Sequence, residues 1–272
     1  MINSRGAIPL LATLYWLAIS GGAGAAEVRQ PSQVAEWSGK DAAWVPTPAV
    51  LVDRMLDMAQ VTPQDYVIDL GSGDGRCVIA AAKRGARALG VEYDANLVDW
   101  SKRVAATQGV ADRVEFVQGD MYEADISQAS VLALFLLPEN LSVLTPKFLN
   151  LKPGARIVAN SFEIEGWNPD ETSRVSGDCG SWCTAHLYIV PAKVTGTWRL
   201  PLGLLTLRQK FQMLTGTLWS GGVRAPIKNG RLRGDQIWFT VGGVIYTGRV
   251  AGDAMHGTDG AWSAVRLRLS RR

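Results

Sequence analysis

From residue 66 to residue 190 the hydrophobic positions form short apolar runs, and these alternate with segments in which apolar residues recur at helical spacing. The apolar runs predict strands over residues 66–70, 87–93, 114–118, 130–137 and 155–164. The other segments predict helices over residues 47–59, 75–84, 95–108 and 138–149. Regular alternation of strand and helix predicts a mostly parallel sheet that helices cover on both faces.

The pattern changes after Pro191, where short β-type runs are separated by glycine-containing turns and no useful length of helical spacing occurs. The runs are residues 194–200, 204–219, 237–241, 244–250 and 262–269. Gly242 and Gly243, between two of these runs, are typical of a tight hairpin. We therefore predict an antiparallel β unit that curls into a small barrel or sandwich.

Length and composition indicate a globular protein with more than one unit. The chain has 272 residues, of which 47% are hydrophobic and 19% charged, and this balance excludes disorder on a large scale. We predict a signal peptide or N-terminal anchor over residues 1–26, a first domain over residues 27–192 and a β-rich domain over residues 193–272. The net charge of +3 divides into +1 for residues 1–26, −8 for the first domain and +10 for the second. Such opposite charges favour docking of the two units over binding of nucleic acid or of a membrane surface.

The first 26 residues have the composition of an export signal. Arg5 gives a positive start, residues 7–20 are almost wholly apolar, and glycine and alanine fill residues 21–26. The apolar segment is shorter than the roughly 20 residues that a membrane helix needs, although it could act as an anchor if it is not cleaved. We expect a chain that is exported, as to the periplasm, or that is anchored in a membrane by this segment.

Three cysteines are present. Cys77 lies in an apolar helical run, and we expect it to be a small buried hydrophobic residue. Cys179 and Cys183 lie in a polar, glycine-containing segment and can form a disulfide if a turn brings them together, as suits an exported protein. Only His186 lies near this pair and no second cysteine pair exists, so we expect no metal site.

The glycine-rich turn after the first predicted strand carries the chemistry. Its sequence is Asp69-Leu70-Gly71-Ser72-Gly73-Asp74-Gly75-Arg76. A dinucleotide-binding turn requires a glycine at the position of Arg76, and a phosphate-binding P-loop requires a Gly-Lys-Ser/Thr sequence that is absent. The remaining pattern, D-x-G-x-G-x-G, resembles motif I of the class I S-adenosylmethionine-dependent methyltransferases. That resemblance implies S-adenosylmethionine as cofactor and a Rossmann-like α/β sheet in the first domain.

Acidic residues at the ends of three successive predicted strands strengthen this interpretation. Asp69 can bind the ammonium group of the ligand, and Glu92 can accept hydrogen bonds from its ribose hydroxyls. Asp120 can bind the adenine amino group, while Met121 can pack on the ring. The candidate cofactor-binding residues are Thr47, Asp69, Gly71, Ser72, Gly73, Asp74, Gly75, Glu92, Asp120 and Met121.

A closer resemblance lies in the flanking segments. These are Trp44-Val45-Pro46-Thr47-Pro48, Gly90-Val91-Glu92 and Phe135-Leu136-Leu137-Pro138-Glu139. With the glycine-rich turn they are similar to the mitochondrial lysine methyltransferases that modify the ATP synthase c subunit and the adenine nucleotide translocase, and to their bacterial relatives. The resemblance covers residues 44–170 and implies a membrane-associated protein-lysine N-methyltransferase. It does not extend to the β-rich domain.

The methyl acceptor is expected beside the loop that follows the fourth predicted strand. Glu139 is the candidate to orient or deprotonate an amine, with Asn140 beside it, although a carboxylate there also suits the first turn of a helix. The loop lacks the N-P-P-Y sequence of enzymes that methylate DNA adenine or glutamine. Thr47, Asn160 and Trp167 are further candidates for the acceptor site. Trp167 can present an aromatic face to a cationic amine, or can serve in the core or in a domain contact.

Two other functions stay open at this point. An exported protein could keep the methyltransferase fold as a non-catalytic binding protein, because S-adenosylmethionine is made in the cytoplasm. A methyltransferase of small molecules, whose β-rich domain gathers the substrate, is the other. Hydrolase chemistry has little support, since neither His186 nor His256 has a serine or cysteine partner pattern. We expect the partner to be a protein substrate, such as a membrane-protein lysine, or a small molecule, and not nucleic acid.

Overall fold

The computed structural model describes residues 44–268, and two β-sheets and four helices account for most of these residues. The first sheet contains β1 (Tyr66–Leu70), β2 (Arg87–Glu92), β3 (Val114–Gln118), β4 (Val131–Leu134), β5 (Arg156–Asn160), β6 (Glu171–Arg174) and β7 (Thr184–Ile189). The helices are α1 (Ala49–Met58), α2 (Arg76–Lys83), α3 (Ala95–Thr107) and α4 (Pro138–Phe148). The predicted α/β fold is confirmed, and several predicted elements are shorter at their ends.

The first sheet has the strand order β3-β2-β1-β4-β5-β7-β6. Five strands are parallel, and β7 and β6 add antiparallel pairings at one edge. Strand β4 is buried along its whole length, as an unbroken apolar sequence covered on both faces requires. The chain leaves β1 toward β2 on one side and reaches β4 on the other, so a crevice opens at the carboxyl ends of β1 and β4. This crevice holds the candidate site.

The hydrophobic pattern predicts neither β6 nor β7. Strand β6 has the polar sequence Glu-Thr-Ser-Arg with mostly exposed side chains, so no apolar alternation marks it. Strand β7 is largely buried, but it follows a polar loop and no helical segment separates it from β6. Both strands are defined by long-range pairing, β7 with β5 and β6 with β7, rather than by local sequence.

The second sheet follows in the chain. Its strands are β8 (Gly196–Leu200), β9 (Gly203–Lys210), β10 (Met213–Ser220), β11 (Val223–Pro226), β12 (Lys228–Arg233), β13 (Gln236–Val241), β14 (Val244–Ala251), β15 (Ala254–Gly257) and β16 (Ser263–Arg266). Pairing of β9 with both β8 and β10 closes eight of these described strands into a small barrel, and β11 lies outside on β10. Of the two forms left open by the sequence, barrel and sandwich, the structure has the barrel.

Alternate residues of the barrel strands fill its interior. Among the buried side chains are Trp198, Leu205, Leu218, Ile237 and Phe239. The run predicted over residues 204–219 is in fact two strands, β9 and β10. A tight turn at Phe211, whose φ is +50°, reverses the chain between them. The apolar pattern misses this turn because neither of its residues is a glycine or proline.

Residues of the two sheets are in direct contact within one compact unit. The rings of Trp167 and Phe211 stack with their centroids 5.2 Å apart. The guanidinium of Arg231, in β12, donates to the buried carboxylate of Asp170 at 2.9 Å. This ion pair joins a basic residue of the barrel to an acidic residue that precedes it in the chain. It agrees with the opposite net charges of the two predicted domains.

The domain limits predicted at residues 27–192 and 193–272 stay predictions. In the structure β7 ends at Ile189 and β8 begins at Gly196. The predicted export or anchor segment, residues 1–26, lies outside the described residues. Across residues 44–268, no helix combines the length and the apolar character needed to cross a membrane.

Candidate functional site

The glycine-rich turn leaves the carboxyl end of β1 and leads into α2. Gly71, Gly73 and Gly75 have φ values of 73°, 55° and 79°, which residues with a side chain rarely adopt. A Cβ atom on Gly73 would lie 2.1 Å from the indole nitrogen of Trp44, and one on Gly75 would lie 2.7 Å from the ring of Phe116. Glycine is therefore required both by the backbone conformation and by the close approach of neighbouring side chains.

A cleft lies at the carboxyl ends of β1, β2 and β4. Its empty volume is about 1170 Å³, including the part open to solvent. Eight of the predicted cofactor residues line it: Thr47, Asp69, Gly71, Ser72, Asp74, Glu92, Asp120 and Met121. Gly73 and Gly75 are not part of the lining, because they are buried against Trp44 and Phe116. The structure thus brings together residues that lie far apart in the chain.

Buried carboxylates give this part of the cleft its character. Burial raises the pKa of Asp69 well above its usual range, and the nearby carboxylates of Glu92 and Asp74 raise it further. A positively charged ligand group would counter both effects. Glu92 accepts hydrogen bonds from the Gly73 amide at 2.8 Å and the Asp94 amide at 3.0 Å, one on each carboxylate oxygen. Each oxygen keeps a lone pair for a further donor, so the site suits a ligand with a cation and hydroxyl groups.

Asp120 and Met121 follow β3 and form another part of the lining, with Val91 and Leu97. The Asp120 carboxylate accepts a hydrogen bond from the Tyr122 amide at 2.9 Å, which fixes the turn after β3. A carboxylate beside apolar side chains suits a flat ring with an exocyclic amino group, such as adenine.

Residues 44–48 form a strap along the cleft, and Arg76 ties the strap to the glycine-rich turn. The Arg76 guanidinium donates to the carbonyl oxygen of Thr47 at 2.7 Å, and its Nε donates to Asp74 at 2.9 Å. Asn160, at the end of β5, donates to Thr47 Oγ1 at 3.2 Å. The residue that breaks the dinucleotide pattern, Arg76, is therefore the one that anchors the strap.

The residues of the cleft fit S-adenosylmethionine. Ser72 Oγ is buried in the lining and has no hydrogen-bond partner among the described residues, which suits a hydrogen bond to a ligand. The closely spaced carboxylates Asp69, Asp74 and Glu92 would repel the pyrophosphate of a dinucleotide and attract an ammonium or sulfonium group. The donor and acceptor groups on the protein thus match the amino acid, ribose and adenine parts of the cofactor.

Three aromatic side chains, Phe135, Phe162 and Trp182, form one side of the same cleft. We call them the aromatic wall. The ring centroid of Trp182 lies 5.1 Å from that of Phe135 and 5.8 Å from that of Phe162. Trp182 belongs to the loop that the Cys179–Cys183 disulfide closes, with Cα atoms 5.2 Å apart. The disulfide that the sequence allows is formed, and it brackets a residue of the cleft.

Sequence reasoning does not identify the aromatic wall. Phe135 belongs to a segment that carries the family resemblance, but no spacing rule connects it with Phe162 or Trp182. Phe162 follows β5 and Trp182 precedes β7, so the pairing of these two strands brings them together. The available signal was a tryptophan enclosed by two cysteines that can pair.

The structure separates the residues predicted at the acceptor site. Asn140 is buried, lines the cleft and donates to the Tyr122 hydroxyl at 2.7 Å. Glu139 is exposed in the first turn of α4 and does not belong to the lining, which matches its alternative as a helix-end carboxylate. Trp167 is buried against Phe211 outside the lining, so it serves as a contact between the sheets.

The chain is similar in sequence to known methyltransferases, two lysine N-methyltransferases among them. The profile of the ANTKMT methyltransferase domain matches residues 69–171. A protein-lysine N-methyltransferase of Saccharolobus islandicus (strain REY15A) is 42% identical over 54% of this chain and 92% of its own length. The lysine N-methyltransferase of the ATP synthase c subunit from Rattus norvegicus is 35% identical over 48% of this chain and 60% of its own length. The chain therefore spans nearly all of the first relative and less than two thirds of the second.

A solved structure is similar as well. It is an RNA methyltransferase from Salinibacter ruber in complex with S-adenosyl-L-homocysteine, 44% identical, with a TM-score of 0.52. The match covers 55% of this chain and 96% of that one. The names of these relatives share methyl transfer but differ in the acceptor, which is a protein lysine in two and RNA in the third.

Proposed function

The chain belongs to the ANTKMT methyltransferase family, and from this premise we propose that it methylates the side-chain amine of a protein lysine. It is an S-adenosylmethionine-dependent methyltransferase, in which the cofactor supplies a methyl group activated by a sulfonium. The observation that carries the lysine proposal is the aromatic wall of Phe135, Phe162 and Trp182 beside the cofactor residues. Two relatives named as lysine N-methyltransferases support the same acceptor.

The donor half of the cleft, formed by the glycine-rich turn and the ends of β2 and β3, binds the cofactor. We assign Asp69 to the ammonium group, Glu92 to the ribose hydroxyls and Asp120 to the adenine amino group. Backbone amides already hold the Glu92 and Asp120 carboxylates, so these groups need little rearrangement on binding. Positioning is the main task of these residues, because the methyl group is activated before it binds.

The aromatic wall suits a lysine side chain in two ways. Its apolar rings can contact the four methylene groups, and its ring faces attract a cationic amine. A methylated amine is still a cation when protonated, so the wall also holds the products of a first and a second transfer. An acceptor with a neutral hydroxyl would gain only the apolar contact and not the attraction between a cation and the ring faces.

The amine must lose its proton before it attacks the methyl group. The carboxylates among the described lining residues all belong to the donor half: Asp69, Asp74, Glu92 and Asp120. The side-chain N–H of Asn140 donates to the Tyr122 hydroxyl, so the side-chain carbonyl oxygen can accept a hydrogen bond from the amine N–H and orient the lone pair of the amine nitrogen. We therefore assign orientation of the amine to Asn140 and acceptance of the proton to solvent water, rather than to the exposed Glu139.

The acceptor class is tested with the full-length protein and S-adenosylmethionine that carries an isotopically heavy methyl group. The substrates are protein, RNA and small-molecule fractions of source cells that lack the gene, and the Asp69→Ala variant is the inactive control. We expect mass spectrometry to find the heavy methyl group on lysine side chains. Label in RNA, which the name of the Salinibacter ruber relative raises, or in small molecules, without label on lysine, would contradict the proposal.

We also propose that residues 1–26 export the chain or anchor it in a membrane, and that the acceptor lysine belongs to a membrane protein. The composition of that segment and the acceptor named for the rat relative support this. Fractionation of cells with a C-terminally tagged chain tests the first part. A full-mass chain found only in the soluble cytoplasmic fraction would contradict it. The enzyme family gives no support to a non-catalytic binding protein.

A further inference from the structure

The barrel has two ends, and one of them contacts the first sheet. At that end lie the β9–β10 turn, whose Phe211 stacks on Trp167, and the β12–β13 turn at Gly234. The strand directions place the β8–β9, β10–β11 and β13–β14 turns at the opposite end. We call the first two of these turns with their flanking positions, residues 199–204 and 219–224, the distal rim.

One row of outward-facing side chains crosses five strands at the distal rim. Each member is paired across the sheet with the next, in the order Arg224, Trp219, Leu204, Arg199 and Val265. Residues paired in this way point to the same side of a sheet, and the residues that alternate with them fill the barrel. Trp219 is 48% exposed and both arginines are exposed, so the row forms an open surface.

The side chains nearest the tips of the rim are aliphatic. Leu202, in the β8–β9 turn, is 40% exposed, and Val223, beside the β10–β11 turn, is 67% exposed. Behind the tryptophan and arginine row, the next outward row is polar, with Thr206 paired to both Thr217 and Thr197. The order from tip to body is therefore aliphatic, then tryptophan and arginine, then threonine. This is the order of side chains that enter a bilayer from its aqueous side.

The charge of this region has one sign. Residues 199–204 and 219–224 contain two arginines and no lysine, aspartate or glutamate. Arg199 and Arg224 lie on either side of the Trp219–Leu204 pair, at the level where lipid phosphate groups would lie if the tips entered a bilayer. A basic surface at that level attracts anionic headgroups, while its aliphatic tips gain from leaving water.

We propose that the distal rim docks on an anionic phospholipid bilayer. Leu202 and Val223 enter the boundary between headgroups and acyl chains, and Trp219 lies at the headgroup level. Arg199 and Arg224 bind lipid phosphate groups. Single-stranded nucleic acid also binds basic surfaces with exposed aromatic residues, but it offers no apolar layer for the aliphatic tips. The bilayer docking is independent of which acceptor the enzyme methylates.

Hydrogen exchange with the full-length protein tests the proposal at the residues concerned. The protein is mixed with vesicles of phosphatidylcholine and phosphatidylglycerol, or of phosphatidylcholine alone. We expect the anionic vesicles to slow exchange several-fold in peptides covering residues 199–206 and 217–226. Peptides covering the β14–β15 turn, at the opposite end of the barrel, should exchange as in the free protein. This local measurement does not depend on any vesicle binding by residues 1–43.

Variants separate the contribution of the apolar side chains to vesicle binding from that of the two arginines. The triple variant Leu202→Ser, Trp219→Ser, Val223→Ser should lose the slowed exchange, and since all three side chains are exposed it should fold and bind S-adenosylmethionine as the parent does. The control is Val143→Ser, an equally exposed apolar residue on α4, which should change nothing. Arg199→Gln and Arg224→Gln should each weaken binding of the rim to anionic vesicles by about fivefold.

Several results would overturn the proposal. One is exchange at the rim that anionic vesicles leave unchanged, and another is a triple variant that is protected as well as the parent. Protection of the rim by single-stranded RNA or by self-association, without protection by vesicles, would assign the surface to a different partner.

Discussion

The indole of Trp182 meets the ring of Phe135 edge to face, with centroids 5.1 Å apart and planes at 63°. Trp182 comes one residue before Cys183, and the disulfide to Cys179 closes a short loop around it. A covalent loop restricts the positions open to the indole, so less conformational freedom is lost when a ligand binds against it. The disulfide thus positions a residue of the aromatic wall that no strand or helix carries.

Breaking the disulfide should weaken binding of the acceptor and leave binding of the donor unchanged. For the double variant Cys179→Ser, Cys183→Ser we expect the KM for the acceptor to rise by up to about tenfold, because Trp182 must then be ordered on binding. The Kd for S-adenosylmethionine should stay the same, since the donor half does not include this loop. Steady-state kinetics and calorimetry measure the two quantities.

Substitutions of Trp182 itself provide the control. Trp182→Ala should reproduce the rise in KM of the disulfide variant, and Trp182→Phe should restore most of the acceptor binding because it keeps an aromatic face. If Trp182→Ala methylates its acceptor with the KM of the parent, the aromatic wall does not bind the acceptor.

Two buried aspartates should respond in opposite ways to loss of charge. Burial and the carboxylates of Glu92 and Asp74 disfavour the ionised form of Asp69 and raise its pKa, so above the usual pKa of an aspartate this side chain destabilises the cofactor-free fold. Asp69→Asn should therefore raise the thermal midpoint without cofactor and abolish the further rise that S-adenosylmethionine causes. Asp65→Asn should lower the midpoint, because burial of Asp65 is outweighed by hydrogen bonds from Ser130 and Thr62 and by Arg156, which lower its pKa.

The pH dependence follows from the signs of these shifts. Between the usual pKa of an aspartate and the raised pKa of Asp69, the folded chain keeps a proton that the unfolded chain has lost, so Asp69 makes stability fall as pH rises. The gain in the free energy of unfolding that Asp69→Asn brings over the parent should grow as pH rises through that window and then stay constant. The contribution of Asp65 is present above the usual pKa and is lost as pH falls through its lowered pKa. Equal pH profiles for parent and Asp69→Asn would contradict a raised pKa.

Removing the anchor of the strap should weaken cofactor binding. Arg76→Ala loses the bond to the Thr47 carbonyl and the ion pair with Asp74, so residues 44–48 are held less firmly along the cleft. We expect the Kd for S-adenosylmethionine to rise by about tenfold. This change corresponds to the free energy that one hydrogen bond to a charged group contributes. The control is Arg84→Ala, which removes exposed ion pairs of α1 and should not change the Kd in calorimetry.

The two acceptor-loop residues should differ in their effect on turnover. Glu139→Gln should leave kcat unchanged over the whole pH range, because the side chain is exposed and outside the cleft lining. Asn140→Ala should lower kcat by about tenfold or more, since it removes the carbonyl that orients the amine. A pH profile that flattens or shifts in Glu139→Gln would restore that residue as the general base.

The contact between the sheets should contribute to the stability of both. Trp167→Ala removes a buried ring that stacks on Phe211, and we expect a loss of about 3–5 kcal/mol in the free energy of unfolding. Denaturant titration followed by signals from each sheet measures this loss. Phe211→Leu, which keeps an apolar side chain in the gap, should cost less. Unfolding of the barrel at an unchanged denaturant concentration in Trp167→Ala would show that the two sheets are not coupled.

Much of the first sheet could be predicted from the chain because its signals are local. An apolar run such as β4 has to be buried on both faces, and a glycine-rich turn after β1 has to face the carboxyl edge of the sheet. Strand β6 could not be predicted, since its polar sequence is strand only because β7 pairs with it. The turn at Phe211 was hidden for a similar reason, as its φ of +50° is imposed by the pairing of β9 with β10.

The sequence by itself determined the donor half of the cleft and the class of fold. Asp69, Glu92 and Gly71 lie at strand ends that short motifs encode, so the order of residues along the chain is enough to place them in the cleft. Only the tertiary structure decided the closure of the barrel, the aromatic wall, the exposure of Glu139 and the distal rim. The physical reason is that each of these depends on which strands pair and in which register, and those pairings join residues whose separation in the chain follows no local pattern.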